Sequence, residues 1–286
     1  MLGASGGSGR STVSGLLAAS LSTAGSAIVL DTAPRLASPW PAWPAKPGAG
    51  LASLPPDEPF TRAQVQAAAS ELPGPGGNWH VLTDHQEWHH GQLSLPSAPA
   101  AWYQLASGGG WQAVVADTTH PVAHDIVTAR AGRRTGQTAA WCSLPFAVPV
   151  LCALATGPGV AALQTAVKAA SAEGLPLQRT VVALSVPGEG RLPPPVKAAA
   201  TMLQPQVSAV VTVPFDSHVR GHGMAQADRL GRRTYEAGAA LAAAVLDAAH
   251  RAWGHPLPAA PVPAALPDAP AASVSPNQPA PEGVLT

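Results

Sequence analysis

The sequence predicts an α/β fold: a mostly parallel, doubly wound sheet covered by helices on both faces, which gives three layers, α/β/α. Short, nearly continuous apolar runs alternate with longer segments of helical composition, and this alternation is typical of parallel strands buried on both faces. Hydrophobic residues make up 46% of the 286 residues, which is enough to fill the core of such a domain.

The first element is a predicted helix over residues 11–23. This segment contains no proline, and Leu16, Leu17 and Leu21 recur at helical spacing. Gly25 follows as a stop signal, so we expect the helix to end before it.

A buried strand is predicted over residues 27–30, an apolar run that leads into Asp31. Residues 34–59 are rich in proline and contain two tryptophans, so we expect a loop or an insertion there. The next helix is expected over residues 61–70, with Thr61 as its cap.

The rest of the chain continues the alternation. Further strands are predicted over residues 79–82, 111–117, 147–155, 179–184 and 207–213, and further helices over residues 160–172, 195–203 and 228–253. The domain is expected to span residues 1–254. Residues 255–286 are rich in proline and alanine and have no periodicity, which predicts a disordered or polyproline-like tail.

Charge and cysteine content bear on the class of protein. The formal net charge is zero, so net charge does not favour a polyanion-binding surface. The two cysteines, Cys142 and Cys152, are too few for a disulfide framework and are expected to be buried apolar residues. No signal peptide is visible and no apolar stretch is long enough to span a bilayer, so we expect a soluble, cytoplasmic protein.

A glycine-rich segment, GGSGRST, lies at the start of the first predicted helix. Backbone amides in such a loop cradle an anion, the helix start adds partial positive charge, and a hydroxyl binds Mg²⁺. The candidate nucleotide-binding residues are Gly6, Gly7, Gly9, Arg10, Ser11 and Thr12. Ala4 and Arg10 stand where the general phosphate-loop pattern has glycine and lysine. A flexible glycine–serine leader would have a similar sequence, so this segment alone is weak evidence.

Acidic residues end two of the predicted strands, Asp31 after residues 27–30 and Asp117 at the end of residues 111–117. In a phosphate-loop fold, acids at such positions lie beside the loop and hold a metal-bound water or orient the attacking water. Asp31 and Asp117 are therefore the candidate catalytic residues, and Ser11 and Asp117 are the candidate metal ligands.

Five segments, in order along the chain, resemble motifs of the MinD/ParA family of P-loop ATPases. They are SGGSGRST (residues 5–12) against KGGVGKTT, LDTA (30–33) against IDAD, ADTTHP (116–121) against the Walker B motif DTPPG, ATGPGVAALQTA (155–166) against TxPxxxxxxxA, and VPFDSHV (213–219) against IPYDxxV. The resemblance covers roughly residues 3–253.

The resemblance implies a fold of the P-loop NTPase type, with ATP and Mg²⁺ as cofactors. It implies a function in spatial organisation in a bacterial cell: partition of DNA, placement of the division septum, or a secretion or pilus machine. The implied partners are a second copy of the chain, in a nucleotide-dependent homodimer, and a protein of such a positioning or secretion system. No segment clearly indicates nucleic-acid or membrane binding.

Several family residues are absent. Ser5 and Arg10 stand where the family has its two lysines, and Ala33 replaces the second switch acid. The asparagine that contacts adenine would fall near Ser185, and the glycine after Thr119 is missing. These groups stabilise charge and position water, so we expect a degenerate member, a pseudo-ATPase with weak or lost hydrolysis. The alternative is an active ATPase in which Arg10 replaces the loop lysine.

The start of the chain and a histidine-rich segment raise two further questions. The family has a strand before the loop, whereas only Met1 and Leu2 precede Gly3; we expect that strand to be missing or, as the favoured alternative, to lie upstream of a misassigned start. On a helix, His85 and His89 would share a face suited to zinc. No third ligand is placed by the sequence, so a polar surface loop is the favoured interpretation.

Overall fold

Eight strands and nine α-helices lie along residues 1–55 and 58–255, the part of the chain that this computed structural model describes. The strands are β1 (Leu2–Gly3), β2 (Ala27–Asp31), β3 (Ser70–Leu72), β4 (Trp79–Leu82), β5 (Ala113–Asp117), β6 (Val150–Leu154), β7 (Val181–Ser185) and β8 (Ala209–Val213). The helices are α1 (Arg10–Leu21), α2 (Arg62–Ala68), α3 (Pro99–Gly109), α4 (Val122–Ala131), α5 (Gln137–Cys142), α6 (Gly157–Ala172), α7 (Pro194–Leu203), α8 (Ser217–His222) and α9 (Arg232–Trp253).

The strands lie in the order β3-β4-β2-β5-β1-β6-β7-β8, and among the described residues only β3 runs antiparallel to its neighbour. Two four-stranded halves meet at Met1. Its amine donates to the Ala116 carbonyl at 2.6 Å, and the N–H of Thr118 donates to the Met1 carbonyl at 3.4 Å. On the other side, Leu2 is in register with Leu151 of β6. The two-residue β1 therefore lies at the centre of the sheet.

Successive strand residues point to opposite faces of the sheet, and each face is covered by helices. On one face, Val29 and Val115 belong to a buried cluster that includes α1 and α9. On the other face, Ile28 and Leu30 pack with α2 and α3, while Val182 packs with α4, α6 and α7. The predicted three-layer, doubly wound α/β/α class is confirmed.

Most predicted elements agree with these bounds to within a few residues. The 34–59 segment contains short 3₁₀ turns, and Thr61 caps α2 by accepting a hydrogen bond from the N–H of Gln64 at 3.3 Å, in a capping box. The last helix begins at Arg232, later than the predicted residue 228, because residues 227–229 form a separate 3₁₀ turn. Cys142 and Cys152 are buried free thiols, as predicted.

Other elements lie in stretches that the sequence left unassigned: β3, α3, α4, α5 and α8. The helix α3 begins at a proline and ends in two glycines, so its sequence carries signals that normally mark loops. The predicted tail lies outside the described residues apart from His255. None of the helices described here has the length and apolar character needed to cross a bilayer.

Candidate functional site

The glycine-rich loop connects β1 to the start of α1. Gly7 and Gly9 have positive φ angles of 66° and 80°, which favour glycine, and Gly9 is the residue that precedes the first turn of α1. A Cβ atom added to Gly6 or Gly7 would meet no heavy atom within 4 Å. This open backbone at a helix start fits a phosphate group.

Arg10, the cation of the loop, forms hydrogen bonds with backbone carbonyls of the protein. Its Nη1 donates to the carbonyl of His120 at 3.0 Å and its Nη2 to the carbonyl of Thr119 at 2.8 Å. The side chain also folds over Gly3, where an added Cβ would lie 2.9 Å from the Cδ and Nε atoms of Arg10. Burial lowers the pKa of Arg10, and the nearby Asp117 opposes that effect. Arg10 thus fastens α1 to the segment that follows β5.

Asp117 is bonded to a tryptophan of the proline-rich segment. Its Oδ2 accepts a hydrogen bond from the Nε1 of Trp40 at 2.9 Å, and both side chains are buried. Trp40 packs edge-on against Trp43 and Trp79, with ring centroids 4.7 and 6.0 Å away. The sequence interpretation placed Trp40 in a loop and missed this contact. One carboxylate oxygen of the candidate metal ligand is therefore occupied by an indole.

Asp31 lies beside Asp117, because β2 and β5 pair in register with these two residues opposite each other. The Oδ2 of Asp31 accepts from the hydroxyls of Ser38 at 2.7 Å and Thr83 at 2.6 Å, and its Oδ1 accepts from the N–H of Ala33 at 3.1 Å. Burial raises the pKa of Asp31 to about 6, although these three hydrogen bonds act in the opposite direction. Asp31 fixes the turn after β2.

Four buried polar atoms near the loop lack a hydrogen-bond partner among the described residues: Ser8 Oγ, Ser185 Oγ, His120 Nε2 and Asp117 Oδ1. The Oγ of Ser185 lies 3.0 Å from where a Cβ on Gly9 would be. Burial lowers the pKa of His120 to about 4, so its imidazole is neutral. Buried polar groups normally have a partner. This set therefore fits a small polar ligand or water at the loop.

A cleft of about 550 Å³ opens beside Thr32, Thr119 and His120. Because these residues follow β2 and β5, the cleft lies at the carboxyl edge of the sheet, where ligands bind in open α/β folds. The roles predicted for Gly6, Gly7, Gly9, Arg10, Ser11 and Thr12 stay predictions, as do those for Asp31 and Asp117.

The histidine-rich segment forms no helix. His85 and Ser70 Oγ are hydrogen-bonded at 2.6 Å, while His89 lies beside Glu87 on the surface. Among the described residues, no three His, Cys, Asp or Glu side chains cluster as a metal site would require. The helical zinc pair considered for His85 and His89 is therefore wrong, and the surface-loop interpretation agrees with the structure.

No protein-family model and no curated protein matches this sequence. Among solved structures, the cell division ATPase MinD of Pyrococcus furiosus is similar in fold, with a TM-score of 0.51 and 17% identity over 85% of this chain and 95% of that chain.

This chain has the fold of a MinD-type ATPase.

The resemblance predicted from the motifs is therefore confirmed at the level of the fold. MinD of Aquifex aeolicus gives a TM-score of 0.48 and 10% identity over 90% of this chain and 96% of that chain. A putative plasmid partition protein of Borrelia burgdorferi bound to AMPPNP gives a TM-score of 0.47 and 12% identity over 88% of this chain and 97% of that chain. Both TM-scores fall below 0.5.

Proposed function

We propose that this protein is a MinD/ParA-like P-loop protein that acts in spatial organisation in a bacterial cell, with weak or lost ATP hydrolysis. Its system would be partition, septum placement, or a secretion or pilus machine, and its partner a protein of that system. The fold supports the coarse assignment. The observation that supports weak or lost hydrolysis is that both charged side chains are hydrogen-bonded within the protein. Arg10 donates to the Thr119 and His120 carbonyls, and Asp117 accepts from the indole of Trp40.

The proposal follows from what phosphoryl transfer requires of a protein. Catalysis there consists of positioning and charge stabilisation, and one such cationic group contributes about 10³-fold or more in rate. Arg10 donates hydrogen bonds to two backbone carbonyls in this site, and the positions of the family's first lysine and second switch acid hold Ser5 and Ala33. The groups that would stabilise a transition state are therefore engaged elsewhere or absent.

The residues present would still hold a nucleotide in part. The amides of Gly6, Gly7 and Gly9 would face its phosphates, and Ser11 and Asp117 would bind Mg²⁺, which supplies positive charge to the phosphate oxygens. The open space at Gly6 and Gly7 and the Oδ1 of Asp117, which has no hydrogen-bond partner within residues 1–55 and 58–255, favour the second candidate, an ATPase that uses Arg10. That function requires Arg10 to leave its two carbonyls.

A titration with a fluorescent ATP analogue, with and without Mg²⁺, tests the proposal together with a turnover assay. We expect weak binding that Mg²⁺ barely strengthens, and no measurable turnover. Trp40→Phe removes the indole N–H and frees Asp117, so we expect Mg²⁺-dependent affinity to rise about tenfold or more, because a hydrogen bond to a charged group contributes roughly 1.5–3 kcal/mol.

Trp43→Phe is the matched control for that experiment. Trp43 belongs to the same aromatic cluster but forms no hydrogen bond with Asp117, so its replacement should leave Mg²⁺ dependence unchanged. ATP turnover that Asp117→Ala or Arg10→Ala abolishes would contradict the pseudo-ATPase proposal and establish the second candidate.

A further inference from the structure

Residues 91–97 belong to no helix or strand, and residues 92–97 all line the cleft of about 550 Å³ beside Thr119 and His120. Exposure alternates along this segment. The exposed residues are Gln92 and Ser94, and the half-buried ones are Leu93 and Leu95. A period of two is typical of an extended chain, and Pro96 favours the same conformation in the residue before it. The segment therefore runs as an extended chain along one wall of the cleft.

Buried side chains hold this segment at both ends. At one end, the Nη1 of Arg35 donates to the carbonyl of Gly91 at 3.3 Å. At the other end, the Nε1 of Trp102 donates to the carbonyl of Pro96 at 2.9 Å. Both Arg35 and Trp102 are buried. The segment is thus positioned before any ligand arrives, which lowers the entropy lost on binding.

The backbone between these two ends is unpaired. Within residues 1–55 and 58–255, the N–H groups of residues 92–95 donate to no acceptor, and the carbonyls of the same residues accept from no donor. An extended chain with free N–H and C=O groups can pair with a second extended chain, as a strand adds to the edge of a sheet. The segment offers four consecutive residues for such pairing.

The lining of the cleft indicates what kind of chain would fit. Among the described residues, no aspartate, glutamate, lysine or arginine lines it. Burial lowers the pKa of His120 to about 4, so its imidazole is neutral. The side chains of Thr119, Gln137 and Trp141 also line the cleft, and all three are uncharged. Because burying a charge without a partner is costly, the cleft favours an uncharged ligand.

We propose that this cleft binds an extended, uncharged peptide segment of another protein, which pairs with residues 92–95 through its backbone. Residues of the added chain would exchange hydrogen bonds with alternate residues of this segment. The proposal does not rest on nucleotide binding, because no residue of the glycine-rich segment 5–12 lines the cleft.

A titration with the peptide Thr-Val-Thr-Val-Thr, acetylated and amidated, tests the proposal in the absence of nucleotide. This peptide carries no charge and favours an extended chain. We expect saturable shifts of the NMR signals of residues 92–95, with a dissociation constant of about 1 mM or below. Solvent exchange should slow about tenfold or more at alternate amides of that segment. Unchanged signals at these residues would overturn the proposal.

Two N-methylated peptides distinguish backbone pairing from side-chain contact. One is methylated at both valines, and the other at the second and third threonines. Successive N–H groups of a strand point to opposite sides, so one peptide should lose about tenfold or more in affinity while the other binds like the parent. Equal affinities of the two methylated peptides would mean that the backbone does not pair, and the proposal would be wrong.

Two protein variants and two charged peptides locate the contact. Ser94→Trp fills the cleft from an exposed position and should abolish the shifts, whereas Ser171→Trp, on the exposed surface of α6, should preserve them. Replacing the central threonine of the peptide by aspartate or by lysine should weaken binding in both cases. Undiminished binding to the Ser94→Trp variant, or tighter binding of either charged peptide, would overturn the proposal.

Discussion

Asp31 is a buried side chain whose carboxyl group accepts three hydrogen bonds. Burial raises its pKa to about 6, against 3.8 for an ordinary aspartate. The folded protein therefore keeps a proton on Asp31 at pH values where the unfolded chain has lost it. Consequently the contribution of Asp31 to the free energy of unfolding is largest below about pH 4 and falls as pH rises to about 6.

Asp31→Asn removes this titration. The free energy of unfolding of the variant minus that of the parent should rise by about 3 kcal/mol between pH 4 and pH 7.5, since each pKa unit corresponds to about 1.4 kcal/mol. Urea unfolding at a series of pH values measures the difference. A constant offset across the series would reflect only altered hydrogen bonds to Ser38 and Thr83, and would contradict the raised pKa.

The site was predictable from the sequence where it depends on local pattern. Asp31 and Asp117 each end a short apolar run, and parallel pairing brings such ends together. The Trp40–Asp117 contact was not predictable, because it joins residues 77 positions apart and no periodic pattern places a loop tryptophan. For the same reason, the hydrogen bonds of Arg10 to the Thr119 and His120 carbonyls were not predictable from the sequence.

At the scale of elements, strands were easier to predict than short helices. An apolar run such as β2 is specified by its own residues, whereas α5 has six residues and no cap signal, and β3 has three residues. Their existence depends on tertiary contacts that overrule weak local preference. The central position of β1 also depends on its neighbours, since two residues carry no strand pattern.

One loop is held by a single buried side chain. Arg35 pairs with Asp84 at 3.2 Å, and both residues are buried. The same guanidinium donates to Gln86 Oε1 at 3.2 Å and to the carbonyls of Trp88, His90 and Gly91, so it organises residues 84–91, from which Trp88 projects with 79% of its surface exposed.

Arg35→Met should lower the free energy of unfolding by about 3–5 kcal/mol, because it leaves Asp84 buried without its partner. Adding Asp84→Asn should recover part of that loss, and a double-mutant cycle by urea unfolding measures the coupling. Arg232→Met is the control: its ion pair with Glu236 lies on the surface and should contribute little. A loss after Arg35→Met no larger than that of the control would refute this role.

At the scale of the whole molecule, the proposed loss of function bears on assembly. The motif resemblance implies that Ser5 stands where the family has the lysine that, in dimers, contacts the partner's nucleotide. We therefore expect sedimentation velocity to give the same oligomeric state with ATP and Mg²⁺, with ATP and a chelator, and without nucleotide. A dimer that forms only with ATP and Mg²⁺ would show that bound nucleotide still drives assembly, and would contradict the effect expected from Ser5.

The bond between Trp40 and Asp117 makes any ligand of that carboxylate a competitor of the chain's own indole. If the bond contributes roughly 1.5–3 kcal/mol, the closed arrangement outweighs the open one by about tenfold to a hundredfold. The apparent affinity for a metal or nucleotide then falls by the same factor, because only the open fraction binds. A large dissociation constant would therefore reflect two quantities. One is the small fraction of molecules in which Trp40 has left Asp117, and the other is the chemistry of the glycine loop.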